Sequence, residues 1–316
     1  MIRRSILVPL TALLAAGIAL GWDPLYYNGL TRVLRTTESS GDFAIGYFSA
    51  GSFWETDTLG FDSLYSHRDT QGFINAAWTG RYGITSSHTI SLIIPMYLQV
   101  SGSENPGLGI TDPWISLDGW MSRSPHYLIR GAFRPAFKGY LESADVPRSD
   151  PHMAGELAAS FEMPMGPGSG SRFDFTGGLR YYFKAWDRIP GTRRDSAETS
   201  PGAELRGVGF LVTPLNPELS VRIGGEFATR GRTSYETEEG TTVRVRGSDR
   251  SYFDLRGGFV LSNPQLKLTA DVYIRLGGEN VDKEWGVIFS GIGIGLGDIF
   301  SVGTGGRTSE GGRGRE

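Results

Sequence analysis

Apolar and polar side chains alternate along segments of this chain that are long for the strands of soluble proteins. Between residues 266 and 276 the apolar positions are Leu266, Leu268, Ala270, Val272, Ile274 and Leu276, and the positions between them are Lys267, Thr269, Asp271, Tyr273 and Arg275. A period of two predicts a β-strand with one apolar and one polar face. Strands of soluble proteins usually have about five or six residues, whereas a tilted membrane strand needs about 9 to 11. The pattern therefore predicts strands that cross a membrane.

Twelve segments of this kind can be placed along the chain, and their connections fall into two alternating classes. Short connections alternate with longer polar ones, which include residues 55–71, 187–201 and 231–250. Bacterial outer-membrane barrels have an even number of antiparallel strands, short periplasmic turns and longer extracellular loops. The sequence therefore predicts an all-β fold, an antiparallel transmembrane β-barrel of about twelve strands. The predicted strands are 42–54, 71–84, 88–100, 110–122, 126–142, 153–165, 171–186, 202–214, 218–230, 251–262, 266–278 and 283–297.

A soluble β-sandwich would also alternate, but with shorter strands and an outer face rich in Thr, Ser and Lys. Here the polar face mixes Arg, Asp, Glu and Tyr, which suits a wet interior. The absence of Cys excludes a disulfide scaffold, a Cys-ligated zinc site and a thiol nucleophile. The net charge of -3 provides no basic surface for nucleic acid.

The N-terminus has the pattern of a cleaved signal peptide. Arg3 and Arg4 precede an apolar stretch from Ile6 to Leu20, and Ala19-Leu20-Gly21 supplies the small residues of a cleavage site. This pattern predicts export of the chain to the bacterial outer membrane. The predicted organisation is a signal peptide at 1–21, an N-terminal periplasmic segment at 22–41, a barrel at 42–300 and a disordered C-terminal tail at 301–316.

Two prolines and one change of phase predict irregular strands. Pro95 and Pro135 fall inside predicted strands, where each removes a ladder hydrogen bond, so bulges or shifted bounds are expected there. Ile292 and Ile294 fall on the face opposite Val287 and Phe289, which predicts a bulge near Ser290.

Charged side chains on the polar faces are the candidates for the lining of the lumen. With Arg206, Glu162 and Glu204 included, they comprise eleven basic and seven acidic positions, which predicts a slightly electropositive lumen that mildly favours anions. A plug of ion-paired side chains that fills the lumen is the alternative, since a twelve-stranded barrel lies between filled barrels and wide porins. The candidate lining residues are Arg130, Arg134, Lys138, Glu156, Arg172, Asp174, Arg180, Lys184, Arg222, Glu226, Asp254, Arg256, Lys267, Asp271 and Arg275.

Two short segments carry a resemblance to a known family. Residues 29–33 (Gly-Leu-Thr-Arg-Val) with Gly41-Asp42-Phe43, and residues 107–114 (Gly-Leu-Gly-Ile-Thr-Asp-Pro-Trp), are similar to segments of the meta-pathway-of-phenol-degradation-like family of outer-membrane transporters. The resemblance implies an outer-membrane β-barrel transporter for hydrophobic or aromatic compounds. The chain departs from most barrels because sixteen residues follow Phe300, the candidate terminal aromatic.

The sequence predicts a porin-like passive transporter or channel for small solutes, with no enzymatic activity, catalytic residue, metal or cofactor. Its expected partners are outer-membrane lipid, the barrel insertion machinery and a small-molecule solute. Two alternatives stay open. One is a non-conducting structural or ligand-binding barrel that acts through its extracellular loops. The other is a barrel hydrolase, which would need His67, His88, His126 or His152 to meet carboxylates at one rim.

Overall fold

A computed structural model of the chain shows a closed antiparallel β-barrel with a small second sheet. It describes residues 33–56, 62–101, 108–123, 126–136, 152–166, 168, 170–188, 196–237, 239–245, 248–262 and 267–294. Within these ranges, no helix is long and apolar enough to span a membrane.

In the described part of the chain, seventeen strands make up the two sheets. All neighbouring barrel strands are antiparallel, and β1 pairs with both β2 and β17, which closes the barrel. The strands are β1 (Ser39–Thr56), β2 (Asp62–Thr85), β3 (His88–Ser101), β4 (Leu108–Ile110), β5 (Trp114–Arg123), β6 (His126–Arg134), β7 (Ala154–Pro164), β8 (Arg172–Tyr182), β9 (Ala185–Arg188), β10 (Ser196–Ser200), β11 (Glu204–Pro214), β12 (Leu219–Arg230), β13 (Ser234–Glu236), β14 (Thr242–Arg244), β15 (Arg250–Ser262), β16 (Lys267–Glu279) and β17 (Val281–Ile294).

The barrel wall has twelve strand positions, as the sequence predicted. Strands β4 and β5 both pair with β3 and together occupy one of these positions, while β9, β10, β13 and β14 form the small sheet. Apart from the three-residue β4, whose described pairing is with β3 alone, every barrel strand has two neighbours. Closure in this way keeps the backbone polar groups of the strands paired inside a membrane. The transmembrane β-barrel fold is confirmed.

The two faces of the wall separate as the alternation predicted. In β16 the side chain of Val272 is 57% exposed on the outside, whereas Asp271 is 1% exposed on the inside. The same holds around the barrel, where leucine, isoleucine and phenylalanine side chains form the outer face. An apolar outer surface and a polar interior are the arrangement expected of a barrel in lipid.

Proline explains two interruptions of the ladder. Pro95 of β3 has no N–H group to donate toward β4 and β5. Opposite Pro95 the pairing is interrupted, between Ile110 at the end of β4 and Trp114 at the start of β5. Across this break the Thr111 amide donates to the Pro95 carbonyl at 3.0 Å. The predicted strand 126–142 ends at Arg134, directly before Pro135.

Other strand bounds differ from the sequence pattern. Strand β2 begins at Asp62 and pairs with β1, inside a region predicted as a loop at 55–71. The small sheet occupies parts of the predicted loops 187–201 and 231–250. The bulge predicted near Ser290 lies between Gly291 and Ile294, where β17 has one residue more than β1.

The two ends of the barrel are built differently. At the first, called the turn end, residues 86–87 and 215–218 make short connections, and the segment 33–38 turns into the barrel. There the Leu34 amide donates to the Thr89 hydroxyl on the inner wall at 2.8 Å, and the Thr37 amide donates to the Gly83 carbonyl at 2.8 Å. A Cβ atom on Gly83 would collide with the Arg35 carbonyl, so glycine at this position admits the segment.

The other end, called the loop end, carries the small sheet. His152, which precedes β7, places its Nε2 atom 2.8 Å from the Thr199 hydroxyl of β10. Arg134 of the inner wall donates to the His152 carbonyl at 2.8 Å. These buried contacts hold the small sheet against the inner edge of the wall at β6 and β7.

Candidate functional site: the charged lumen

Among the buried and half-buried side chains that the described strands and the break at Asp112 place on the inner face, eleven are acidic and eleven are basic. The electropositive excess expected from the sequence is not found among these side chains. Sequence counting missed Asp42, Asp112, Asp118 and Glu284 on the acidic side. The acidic members are Asp42, Asp112, Asp118, Glu156, Glu162, Asp174, Glu204, Glu226, Asp254, Asp271 and Glu284, and the basic members are Arg81, Arg130, Arg134, Arg172, Arg180, Arg206, Arg222, Arg230, Arg256, Lys267 and Arg275.

Thirteen of the fifteen candidate lining residues belong to this set. Lys184 does not, because its strand ends at Tyr182 and its half-exposed ammonium pairs with Glu236 of the small sheet. Its hydrogen bond to that carboxylate raises the pKa of Lys184. Lys138 lies outside the described residues.

One continuous run of ion pairs crosses five neighbouring strands. We call Glu156, Arg180, Glu204, Arg206, Glu226 and Arg256 the charge ladder. Arg180 of β8 lies directly opposite both Glu156 of β7 and Glu204 of β11 in the strand register.

The ladder alternates in sign along its whole length. Arg180 is 2.6 Å from a Glu156 oxygen and 3.7 Å from a Glu204 oxygen. Arg206 continues the run, at 2.8 Å from Glu204 and 3.5 Å from Glu226, and Arg256 pairs with Glu226 at its far end. Each of the four inner members therefore lies between two charges of the opposite sign, which offsets part of the cost of removing it from water.

A second ion pair spans a strand instead of joining neighbours. Arg222 of β12 reaches Asp271 of β16 with its Nε atom 2.7 Å from Oδ1. The residue between them in the register is Gly258 of β15, and a Cβ atom there would collide with the Asp271 side chain and the Ala270 carbonyl. The missing side chain is what lets the pair form.

Aromatic rings occupy the spaces between the ion pairs. The guanidinium of Arg180 lies 4.5 Å from the centre of the Trp114 ring, and that of Arg275 lies 4.1 Å from the Tyr252 ring. The Tyr182 hydroxyl donates to Glu204, and the Tyr252 hydroxyl donates to Glu226, each at 2.8 Å. Rings and charges thus pack together in the interior, where cation–π contacts are strongest because water is excluded.

The packing leaves the ladder nearly inaccessible to water. The side chains of Arg256 and Glu226 are each 2% exposed, whereas Arg172 near the turn end is 34% exposed. An open porin lumen would leave its lining charges wet. The described interior is therefore filled at the level of the ladder and opens toward the turn end.

Two interior cations are exceptions to the pairing. Nine of the eleven basic side chains have a carboxylate oxygen within 4.0 Å. Within the described part of the chain, Arg230 near the loop end and Lys267 near the turn end have none. Both are half-buried.

The histidines are distributed over separate parts of the barrel. The strand register places His88 on the outer face and His126 on the inner face, 3.0 Å from Glu162. His152 lies at the loop end beside Thr199, and the side chain of His67 falls outside the described residues. The described residues include no cluster of three or more His, Cys, Asp or Glu side chains that could hold a metal ion. Among the described histidines, His126 meets one carboxylate, that of Glu162, and His88 and His152 lie elsewhere.

A solved structure shares this architecture. An outer-membrane channel from Pseudomonas putida F1 is similar over 86% of this chain and 98% of its own, with a TM-score of 0.66 at 13% sequence identity. The translocator domain of the autotransporter NalP from Neisseria meningitidis (TM-score 0.38, 9% identity, 80% of this chain and 88% of that one) is more distant. So is a Pseudomonas aeruginosa FadL homologue (TM-score 0.38, 8% identity, 81% and 89%).

The first of these likenesses identifies the fold, that of a bacterial outer-membrane barrel, and the other two are too weak to support an argument. No family model matches the chain, and no curated protein matches it. The family resemblance of residues 29–33, 41–43 and 107–114 therefore stays a prediction.

Proposed function

We propose that this protein is a passive channel of the bacterial outer membrane for small solutes, and that the present conformation is its closed state. The charged lumen carries the proposal. Burying an ion pair is often no more stabilising than packing apolar side chains of the same volume. A barrel that needed only stability would be served equally well by an apolar core, whereas a path for polar solutes requires polar groups along its length.

The gate in this proposal is the charge ladder, because it is the filled level of the lumen. Solutes would pass when its side chains change rotamer or partner, down their own concentration gradient. The equal number of acidic and basic side chains gives no reason to expect strong overall charge selectivity. Similarity to an outer-membrane channel over almost the whole of that protein supports this assignment without identifying the solute.

Single-channel recording in planar lipid bilayers tests the proposal. We expect the refolded wild-type protein to show small, intermittent openings. A variant with Glu156→Ala and Arg180→Ala removes one end of the ladder as a pair, which leaves Glu204 paired with Arg206, and should conduct several-fold more. Val272→Ala on the outer face is the matched control and should conduct like the wild type. Absence of openings in both wild type and double variant would overturn the channel assignment.

The filled interior also favours a second candidate, a non-conducting barrel that acts through the loop end. In that case the same recordings would be silent for the wild type, and the small sheet would be the functional surface. Removal of β13 and β14 by a short hairpin between Gly231 and Asp249 would then abolish function and leave the barrel folded.

A further inference from the structure

We propose that Arg230, with Arg134 and Tyr182, forms a binding site for the anionic oxygen group of a small solute at the loop end of the lumen. The inference rests on the proposed channel function and deepens it, because it assigns carboxylate or phosphate chemistry to the entry of the solute.

Arg230 is the one arginine of the inner face without an ionic partner in the described structure. It ends β12 and lies directly opposite Glu204 of β11, so a cross-strand ion pair would be the simplest arrangement. The Glu204 carboxylate instead accepts from Tyr182 and Arg206 and lies near Arg180. Arg230 makes no ion pair with Glu204, and its guanidinium lies 5.9 Å from the centre of the Tyr182 ring.

The Nε atom of Arg230 adds a second observation, since it is buried and has no hydrogen-bond acceptor in the described structure. Leaving a buried charged donor without an acceptor costs about 1–3 kcal/mol or more. The site is therefore incomplete as it stands. An anionic oxygen would supply the acceptor, and a guanidinium binds carboxylate and phosphate with two parallel hydrogen bonds.

A second guanidinium lies on the same ring. Arg134 is 5.6 Å from the centre of the Tyr182 ring, and its nearest carboxylate, Asp112, is 3.6 Å away. Arg180 also lies near this ring, but Arg134 and Arg180 each have a carboxylate oxygen within 4.0 Å, whereas Arg230 has none. The unpaired charge of Arg230 therefore marks this position as one that attracts an anion.

Binding can be measured without conduction. The test is the thermal unfolding midpoint of the refolded protein in detergent micelles, followed by the shift in gel mobility of the barrel, as sodium phosphate or sodium acetate replaces sodium chloride at constant ionic strength. An anion that binds the folded barrel raises the midpoint in a saturable manner, and the titration yields an apparent dissociation constant. We expect saturation for the wild type with at least one of the two anions.

The variant Arg230→Gln should bind that anion about tenfold more weakly or worse, because it loses a charge-assisted hydrogen bond. Arg232→Gln is the matched control, since it removes the same charge two residues away, from a half-exposed arginine that pairs with Asp249 at 3.2 Å. It should bind like the wild type. Arg230→Lys keeps the charge but loses the planar guanidinium that donates two parallel hydrogen bonds, so it should bind several-fold more weakly. This variant tests the site even if the Gln variant does not fold.

Equal affinity in wild type and both Arg230 variants would overturn the site, as would a wild-type midpoint that does not respond to either anion. The two proposals fail separately. Saturable, Arg230-dependent binding in a protein that never conducts would remove the channel function and keep the site, whereas conduction without such binding would remove the site alone.

Discussion

The Arg222–Asp271 pair distinguishes a filled lumen from one that contains water. Its side chains are 5% and 0% exposed, and the bond from Arg222 Nε to Asp271 measures 2.7 Å. Removing one partner of such a buried pair leaves an uncompensated charge and costs about 3–5 kcal/mol, whereas replacing both with apolar side chains is often nearly neutral. An exposed pair contributes only about 0–1 kcal/mol.

We therefore expect Arg222→Met and Asp271→Leu each to lower the free energy of unfolding by about 3–5 kcal/mol. The double variant should recover most of this loss, because no unpaired charge is left in the interior. The exposed Arg232–Asp249 pair is the control, and breaking it should change stability by about 1 kcal/mol at most.

Urea unfolding in lipid vesicles, followed by tryptophan fluorescence, measures all of these variants. If the single Arg222 and Asp271 variants lost no more than the exposed control pair, the interior would be wet enough to screen the charges. The conclusion that buried ion pairs fill the lumen would then be refuted.

Three further predictions concern the wall and the N-terminus. Val272→Arg places a charge halfway along an outward-facing strand and should lower stability by about 2–4 kcal/mol in lipid, whereas Met163→Arg close to the turn end should cost about 0–1 kcal/mol by the same vesicle assay. Gly258→Ala should cost at least about 1–3 kcal/mol, because its methyl group collides with Asp271, while Gly277→Ala has free space around its Cβ atom and should be nearly neutral; equal losses would contradict the packing argument. Mass spectrometry of the protein from outer membranes should find Trp22 as the first residue, and an intact Met1 would refute cleavage of the signal peptide.

Alternation was sufficient to predict the wall of the barrel. In β16 the inward positions 267, 269, 271, 273 and 275 follow from the period of two alone, and pairing with the neighbouring strands preserves that phase. The number of barrel strands was predicted from the number of such segments along the chain. These features depend on local sequence, which is why they could be inferred without coordinates.

The partners of the charges could not be predicted in this way. Arg222 and Asp271 are 49 positions apart and meet because Gly258 lies between them in the register of three strands. The balance of charge among the buried side chains was also missed, because four acidic residues were not assigned to the lumen. Asp42 lies in the first strand, Asp112 lies in the break opposite Pro95, and Asp118 and Glu284 lie in short polar stretches. Register and ladder interruptions are long-range properties, and a single sequence carries little information about either.

The alternation of apolar and polar side chains also affects how this protein reaches the outer membrane. An exported chain must first cross the inner membrane, where a continuous apolar segment of about 18 residues or more would be integrated as a helix. In β16 the outward Val272, Ile274 and Leu276 are separated by Tyr273 and Arg275, and the chain as a whole has a mean hydropathy of only -0.20. A continuous apolar surface forms only when the strands pair and the barrel closes. The chain is therefore not integrated at the inner membrane and inserts into lipid at the outer membrane.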